Sequence, residues 1–122
     1  MSADTSGLAA LITLALGLLG FLSPEHAARL TGLARPEGDA RPEMRATYGG
    51  IFIGLALACL LHPSAASALI AGSAWLGAAS CRLASLALDR IVSKRTLGGL
   101  VLEAGLAVLF LNDGLRGPTG SA

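Results

Sequence analysis

The sequence predicts an all-α fold: an integral membrane four-helix bundle with a short interfacial helix after the first span. Three observations carry this. Of 122 residues, 53% are hydrophobic, 16 more are glycine and only 14% are charged, whereas a soluble domain carries about a quarter charged residues. A soluble chain this small would leave roughly a third of its unfolded surface facing water, and nine basic with eight acidic side chains do not cover it. Finally, the apolar residues fall into four segments separated by turn residues. The mean hydropathy of +0.67 and the net charge of +1 exclude a disordered tail and a basic nucleic-acid binder, and two cysteines do not make a disulfide-stapled secreted domain. Residues 1–122 make one domain.

The first span is predicted over about 7–22. Ser23-Pro24-Glu25 reads as N-cap, first-turn proline and acidic first turn of a new helix. That helix, over about 24–33, sets Ala27, Leu30 and Leu33 on one side and Glu25, His26 and Arg29 elsewhere, as a helix lying in the membrane interface does. Residues 34–41, with Pro36, Gly38 and Asp39, form a polar loop. The second span runs over about 42–61, from Pro42 to the His62-Pro63 stop; about twenty residues at roughly 1.5 Å each match a hydrocarbon core of about 30 Å. The third, over about 65–88, follows a connection that allows only an antiparallel hairpin, and its many alanines, glycines and serines permit close helix approach. The fourth covers about 97–111, with Asn112-Asp113-Gly114 as exit signal, and 114–122 read as a flexible tail. The first and last spans are short, which calls for flanks in the headgroup region or local thinning. A soluble bundle fails on its polar faces, since Gly7 to Leu22 offers only Thr13 and Leu97 to Leu111 only Glu103.

Four antiparallel spans place both termini and the His62-Pro63 turn on one side of the membrane. The other side receives Arg29, Arg35, Arg41, Arg90, Lys94 and Arg95, against Arg116 alone on the first. By the positive-inside rule the arginine-bearing connections are cytoplasmic and both termini periplasmic, in the inner membrane. Residues 1–6 lack the basic start of a signal peptide, so no cleavage is expected. Cys59 and Cys81 lie at different depths, too far apart for a disulfide.

Charges carried into the spans converge on one level. Arg82 is seven residues before Asp89, Glu103 six after Leu97, and Tyr48 six after Pro42, so each lies about 10 Å from the cytoplasmic boundary. An arginine or glutamate facing lipid there costs at least a few kcal/mol, so Arg82 and Glu103 are expected to pair inside the bundle. Arg82, Ser85 and Asp89 form a polar stripe at i, i+3 and i+7. With Glu43, Arg45 and Tyr48 they make a polar pocket open to the cytoplasm. Three readings of that pocket stand side by side: an ion-pair network that sets helix register, a site for an anionic ligand or lipid headgroup, and proton-coupled chemistry through Glu103 or Glu43. Gly50-Ile51-Phe52-Ile53-Gly54 is a helix-packing or dimer signal.

Glu43-Met44-Arg45-Ala46-Thr47-Tyr48-Gly49-Gly50, then Gly77, Arg82-Leu83-Ala84-Ser85 and Asp89, then a glutamate in the last helix, resemble the bacterial membrane family called domain of unknown function 4345. The layout is similar to that of the wider DoxX-like group of four-helix membrane proteins. The resemblance implies a four-helix membrane bundle with Glu43, Arg45, Tyr48, Arg82, Asp89 and Glu103 as its polar signature. It implies no activity, and the DoxX-like layout points only toward respiratory or sulfur redox chemistry.

Metal or haem binding is argued against: His26 and His62 fall at opposite ends of the bundle, and no Cys-x-x-Cys, phosphate loop or nucleophile elbow occurs. Trp75 reads as a packing residue. Small multidrug exporters share the length and span count but depend on a carboxylate in the first helix, and Gly7 to Leu22 has none. The function read from these residues is an accessory or binding subunit without a catalytic set or cofactor. It docks on a larger membrane complex, or forms a homo-oligomer, through small-residue faces, or it holds a lipid or quinone-like ligand; its partners are membrane lipids, not nucleic acid. The alternative is a small transporter or membrane enzyme acting on an anionic substrate through Arg82 and Glu103.

Overall fold

A computed structural model describes residues 3–116. Helix α1 (Ala3–Leu22) leads into α2 (Pro24–Thr31); the second span is one rod made of α3 (Ala40–Met44), a π-helical stretch (Arg45–Ile51) and α4 (Phe52–Leu61); α5 (Ala65–Asp89) and α6 (Lys94–Gly114) complete the bundle. Four helices are long and apolar enough to cross a membrane: Thr5–Leu22, Ala40–Leu61, Ala65–Asp89 and Lys94–Gly114. The fold is the expected all-α four-helix membrane bundle.

The turns form where the capping chemistry directs. Ser23 Oγ accepts from the backbone N–H of His26, Pro24 occupies the first turn of α2, and Gly32 closes that helix in the left-handed region at φ 79°. Ser64 and Ser67 form a reciprocal capping box at the start of α5. Ser93 Oγ accepts from the N–H of Thr96 and starts α6.

The outer spans are longer than the sequence reading gave them. The first begins at Ala3 rather than near Gly7, and the last runs from Lys94 to Gly114 rather than from Leu97 to Leu111. At 20 and 21 residues each reaches about 30 Å, so the expected shortfall disappears. The reason is that polar end turns stay helical beyond the apolar stretch, in α6 with its start capped by Ser93. Gly114 is buried inside α6, so no tail begins there; residues 117–122, the rest of the expected tail, lie outside the described residues.

Around the bundle α1 packs on both the second span and α6, and α6 packs on α5. The fourth seam, between the second span and α5, closes only toward the His62-Pro63 hairpin, where Cys59 Sγ lies 3.5 Å from the carbonyl oxygen of Ser67 and Phe52 meets Trp75 edge-on at 5.0 Å. Farther along, the π-helical stretch barely touches α5. The core follows the same division. Ala9, Ala10, Cys59, Ala68, Ala71, Trp75, Leu106, Ala107 and Phe110 fill the hairpin half. The other half holds only a small cluster of Ala27, Ala28 and Met44 where α2 lies across the bundle.

Close approach of α1 to the second span rests on Gly17 and Gly20. A Cβ on Gly20 would stand 2.5 Å from the carbonyl oxygen of Tyr48, and one on Gly17 would stand 2.9 Å from the backbone nitrogen of Ile53. The Gly50-xxx-Gly54 pair instead faces outward: neither is buried, and a Cβ on Gly54 would meet nothing within 4 Å. The sequence signal was on the right helix but belongs to its outer face. Gly20→Ala therefore pushes backbone against backbone and is expected to cost about 1–3 kcal/mol, seen as a lower unfolding temperature in detergent, whereas Gly54→Ala leaves that temperature unchanged or raises it.

Candidate functional site

Arg82 on α5 and Glu103 on α6 meet as expected. Arg82 Nε donates to Glu103 Oε1 at 2.7 Å and Nη2 to Oε2 at 2.9 Å, a two-pronged pair; Nη1 reaches Thr96 Oγ1 at 3.4 Å. Planar guanidinium and planar carboxylate match in this geometry, which makes it both strong and directional. Gly99 makes room for it, since a Cβ there would stand 2.9 Å from Arg82 Cζ. Glu103 is buried and Arg82 half-buried.

The pair forms one wall of a cavity of about 370 Å³ in the open seam. Its apolar part is lined by Leu16, Phe52, Trp75 and Leu102, with Tyr48 beside them; Thr31, Lys94 and Arg95 stand toward the end that carries α2. The apolar end is fixed from below. Trp75 Nε1 donates to Thr13 Oγ1 at 3.2 Å, and Thr13 Oγ1 donates to the carbonyl oxygen of Ala9 at 2.8 Å. Thr13, the one polar side chain between Gly7 and Leu22, is thus the partner that lets the indole be buried in an apolar core. Arg95 runs over Gly32, whose Cβ, if present, would stand 3.3 Å from Arg95 Cδ.

Of the seven expected pocket residues, Tyr48, Arg82 and Glu103 line this cavity. The other four lie elsewhere. Arg45 turns to α1, donating from Nη1 to the carbonyl oxygen of Phe21 at 2.8 Å with its guanidinium 5.5 Å from the Phe21 ring centre; it satisfies an orphan carbonyl at the negative end of that helix. Ser85 Oγ donates to Asp89 Oδ2 at 2.7 Å on an exposed face of α5. Glu43 is exposed. Sequence reasoning missed Thr13, Thr31, Phe52, Lys94, Arg95 and Gly99, and it read Trp75 as packing alone. The available signals were the single polar residue between Gly7 and Leu22 and the adjacent cations at the start of α6.

The polar groups near the interface have their own partners. Glu25 pairs with Arg41, and that hydrogen bond holds its carboxyl below the usual carboxylate range. Ser23 Oγ lies 2.5 Å from His26 Nδ1. Among the described residues no group of three His, Cys, Asp or Glu side chains gathers as a metal site, and both cysteines are free thiols.

Residues 5–112 match the family described as "Domain of unknown function (DUF4345)". The chain belongs to the DUF4345 family. The match reaches into all four spans and includes every residue lining this cavity. No curated protein and no solved structure matches the chain.

With both carboxylate oxygens engaged, Glu103 is poorly placed as a free base, and Arg82 is electrically balanced. Removing Arg82 leaves the buried Glu103 carboxylate without its counter-charge. Arg82→Leu is expected to destabilise the bundle by on the order of 3 kcal/mol, and Arg82→Leu with Glu103→Leu to recover most of that. Thermal unfolding of the three proteins in one detergent checks both expectations.

Proposed function

We propose that this DUF4345 protein is a binding protein of the bacterial inner membrane that holds one amphiphilic molecule, a lipid or a quinone-like compound, in the seam between the second span and α5. The observation that carries this reading is the two-sided lining of the cavity. Leu16, Phe52, Trp75 and Leu102 offer an apolar slot, while Tyr48, Arg82, Lys94 and Arg95 offer polar and charged groups. Sites for small molecules combine a mostly apolar cavity of about 300–1,000 Å³ with a few placed polar groups. Supporting it further, the seam faces the bilayer side, so an amphiphile enters without crossing water.

In the proposed orientation the end bearing α2 and the α5–α6 connection is cytoplasmic, in keeping with the cations gathered there. Gly54, Gly77 and Gly105 lie outward with open space beside them, and this supports docking of the bundle on a larger membrane assembly as an accessory subunit. A transporter or enzyme working through Arg82 and Glu103 would first have to break a doubly hydrogen-bonded pair, so the binding reading takes precedence.

Gly98 gives a clean test. It lines the cavity, and a Cβ there would meet nothing within 4 Å, so Gly98→Leu fills the slot and gains helix propensity of about 0.5–1 kcal/mol. Mass analysis of molecules retained after purification in mild detergent is expected to find an amphiphile near equimolar ratio with the unaltered protein and little with Gly98→Leu, at an equal or higher unfolding temperature. Equal retention by both, or none by either, contradicts the proposal.

A further inference from the structure

The charge lining the cavity is unequal. Arg82 and Glu103 neutralise each other through two hydrogen bonds. Lys94 and Arg95 line the same cavity, and neither has an ion-pair partner among the described residues. The lining therefore keeps two positive charges, both at one end. A second hollow of about 430 Å³, lined by Thr31, Arg82, Lys94, Arg95 and Thr96 among others, adjoins the first. Thus the same two cations stand between the apolar slot and a more polar space at the membrane surface.

Resting on the binding function proposed above, we infer that the occupant is a lipid with an anionic headgroup, its phosphate or carboxylate held by Lys94 and Arg95 and its chain lying in the slot against Trp75 and Phe52. Charge complementarity selects the anion. A neutral quinone head would leave both cations without a counter-charge beside an apolar slot. Arg82 fits the role of a wall rather than a receptor, because Glu103 already occupies its fork. The source is the bilayer itself, since the slot opens in the seam that the π-helical stretch and α5 leave unclosed. Arg95 is suited to its place because Gly32 lets its stem lie flat against the end of α2. Arg90, on the same connection, does not line the cavity and serves as the control.

Trp75 is the one tryptophan of the chain and lines the slot, so its emission reports occupancy. The full-length protein in phosphatidylcholine nanodiscs is doped with lipids carrying brominated chains, which quench indole at contact. Brominated phosphatidylglycerol or phosphatidic acid is expected to quench Trp75 at about tenfold lower mole fraction than brominated phosphatidylcholine. Lys94→Gln with Arg95→Gln removes that preference, Arg90→Gln retains it, and unbrominated anionic lipid restores the emission. Equal quenching by anionic and zwitterionic lipids, above the level in Gly98→Leu, overturns the anionic headgroup and leaves the binding function standing. Quenching no greater than in Gly98→Leu for every lipid overturns both. Loss of the anionic-lipid quenching in millimolar inorganic phosphate at constant ionic strength assigns the cations to a soluble anion and overturns the lipid source.

Discussion

The bundle is organised around one constraint: an arginine and a glutamate placed within membrane spans must find each other. Arg82 and Glu103 do so with two hydrogen bonds, which locks the rotation of α5 against α6 as well as their distance. Helix packing in lipid has no strong hydrophobic drive, so fit and polar pairing set the geometry. Gly72 and Gly114 bring the same two helices close, with Cβ atoms there only 2.7 Å from the Leu111 and Leu69 groups opposite. Close glycine contacts at the hairpin half and an ion pair in the other half therefore fix both ends of the α5–α6 interface.

Helix α1 is held differently. The buried carboxylate of Asp113 accepts from the N–H of Ser6 at its start, and Arg45 donates to the carbonyl oxygen of Phe21 at its end. Opposite charges from two other helices thus complement the two poles of one helix dipole. Gly17 and Gly20 then let α1 lie against the π-helical stretch. With α1 and α6 fixed in this way, the seam between the second span and α5 can stay open without the bundle losing its register, and the cavity exists because of that difference.

Four spans were legible in the sequence because lipid demands long apolar helices and turn signals such as Ser23-Pro24, His62-Pro63 and Asn112-Asp113-Gly114 separate or end them. Arg82 and Glu103 were legible because depth follows from counting residues along a straight helix. Direction around the helix axis does not follow from counting. Arg45 and Tyr48 share a face on an ideal α-helix, yet the π-helical turn and the carbonyl of Phe21 take Arg45 to α1 and leave Tyr48 in the cavity. Ser85 and Asp89 lie on the stripe of Arg82 but are satisfied by each other. The Thr13 and Trp75 contact was not legible, since it depends on how two helices distant in sequence meet. Lys94 and Arg95 were read only as orientation signals, because their place beside a cavity needs the open seam.

The most direct test of an open, occupied seam is a structure of the protein determined in a lipid nanodisc. The account predicts continuous non-protein density running from Lys94 and Arg95 to Trp75, with Arg82 still paired to Glu103. A seam closed by direct packing of the π-helical stretch on α5, with side chains filling the space beside Trp75, would contradict it.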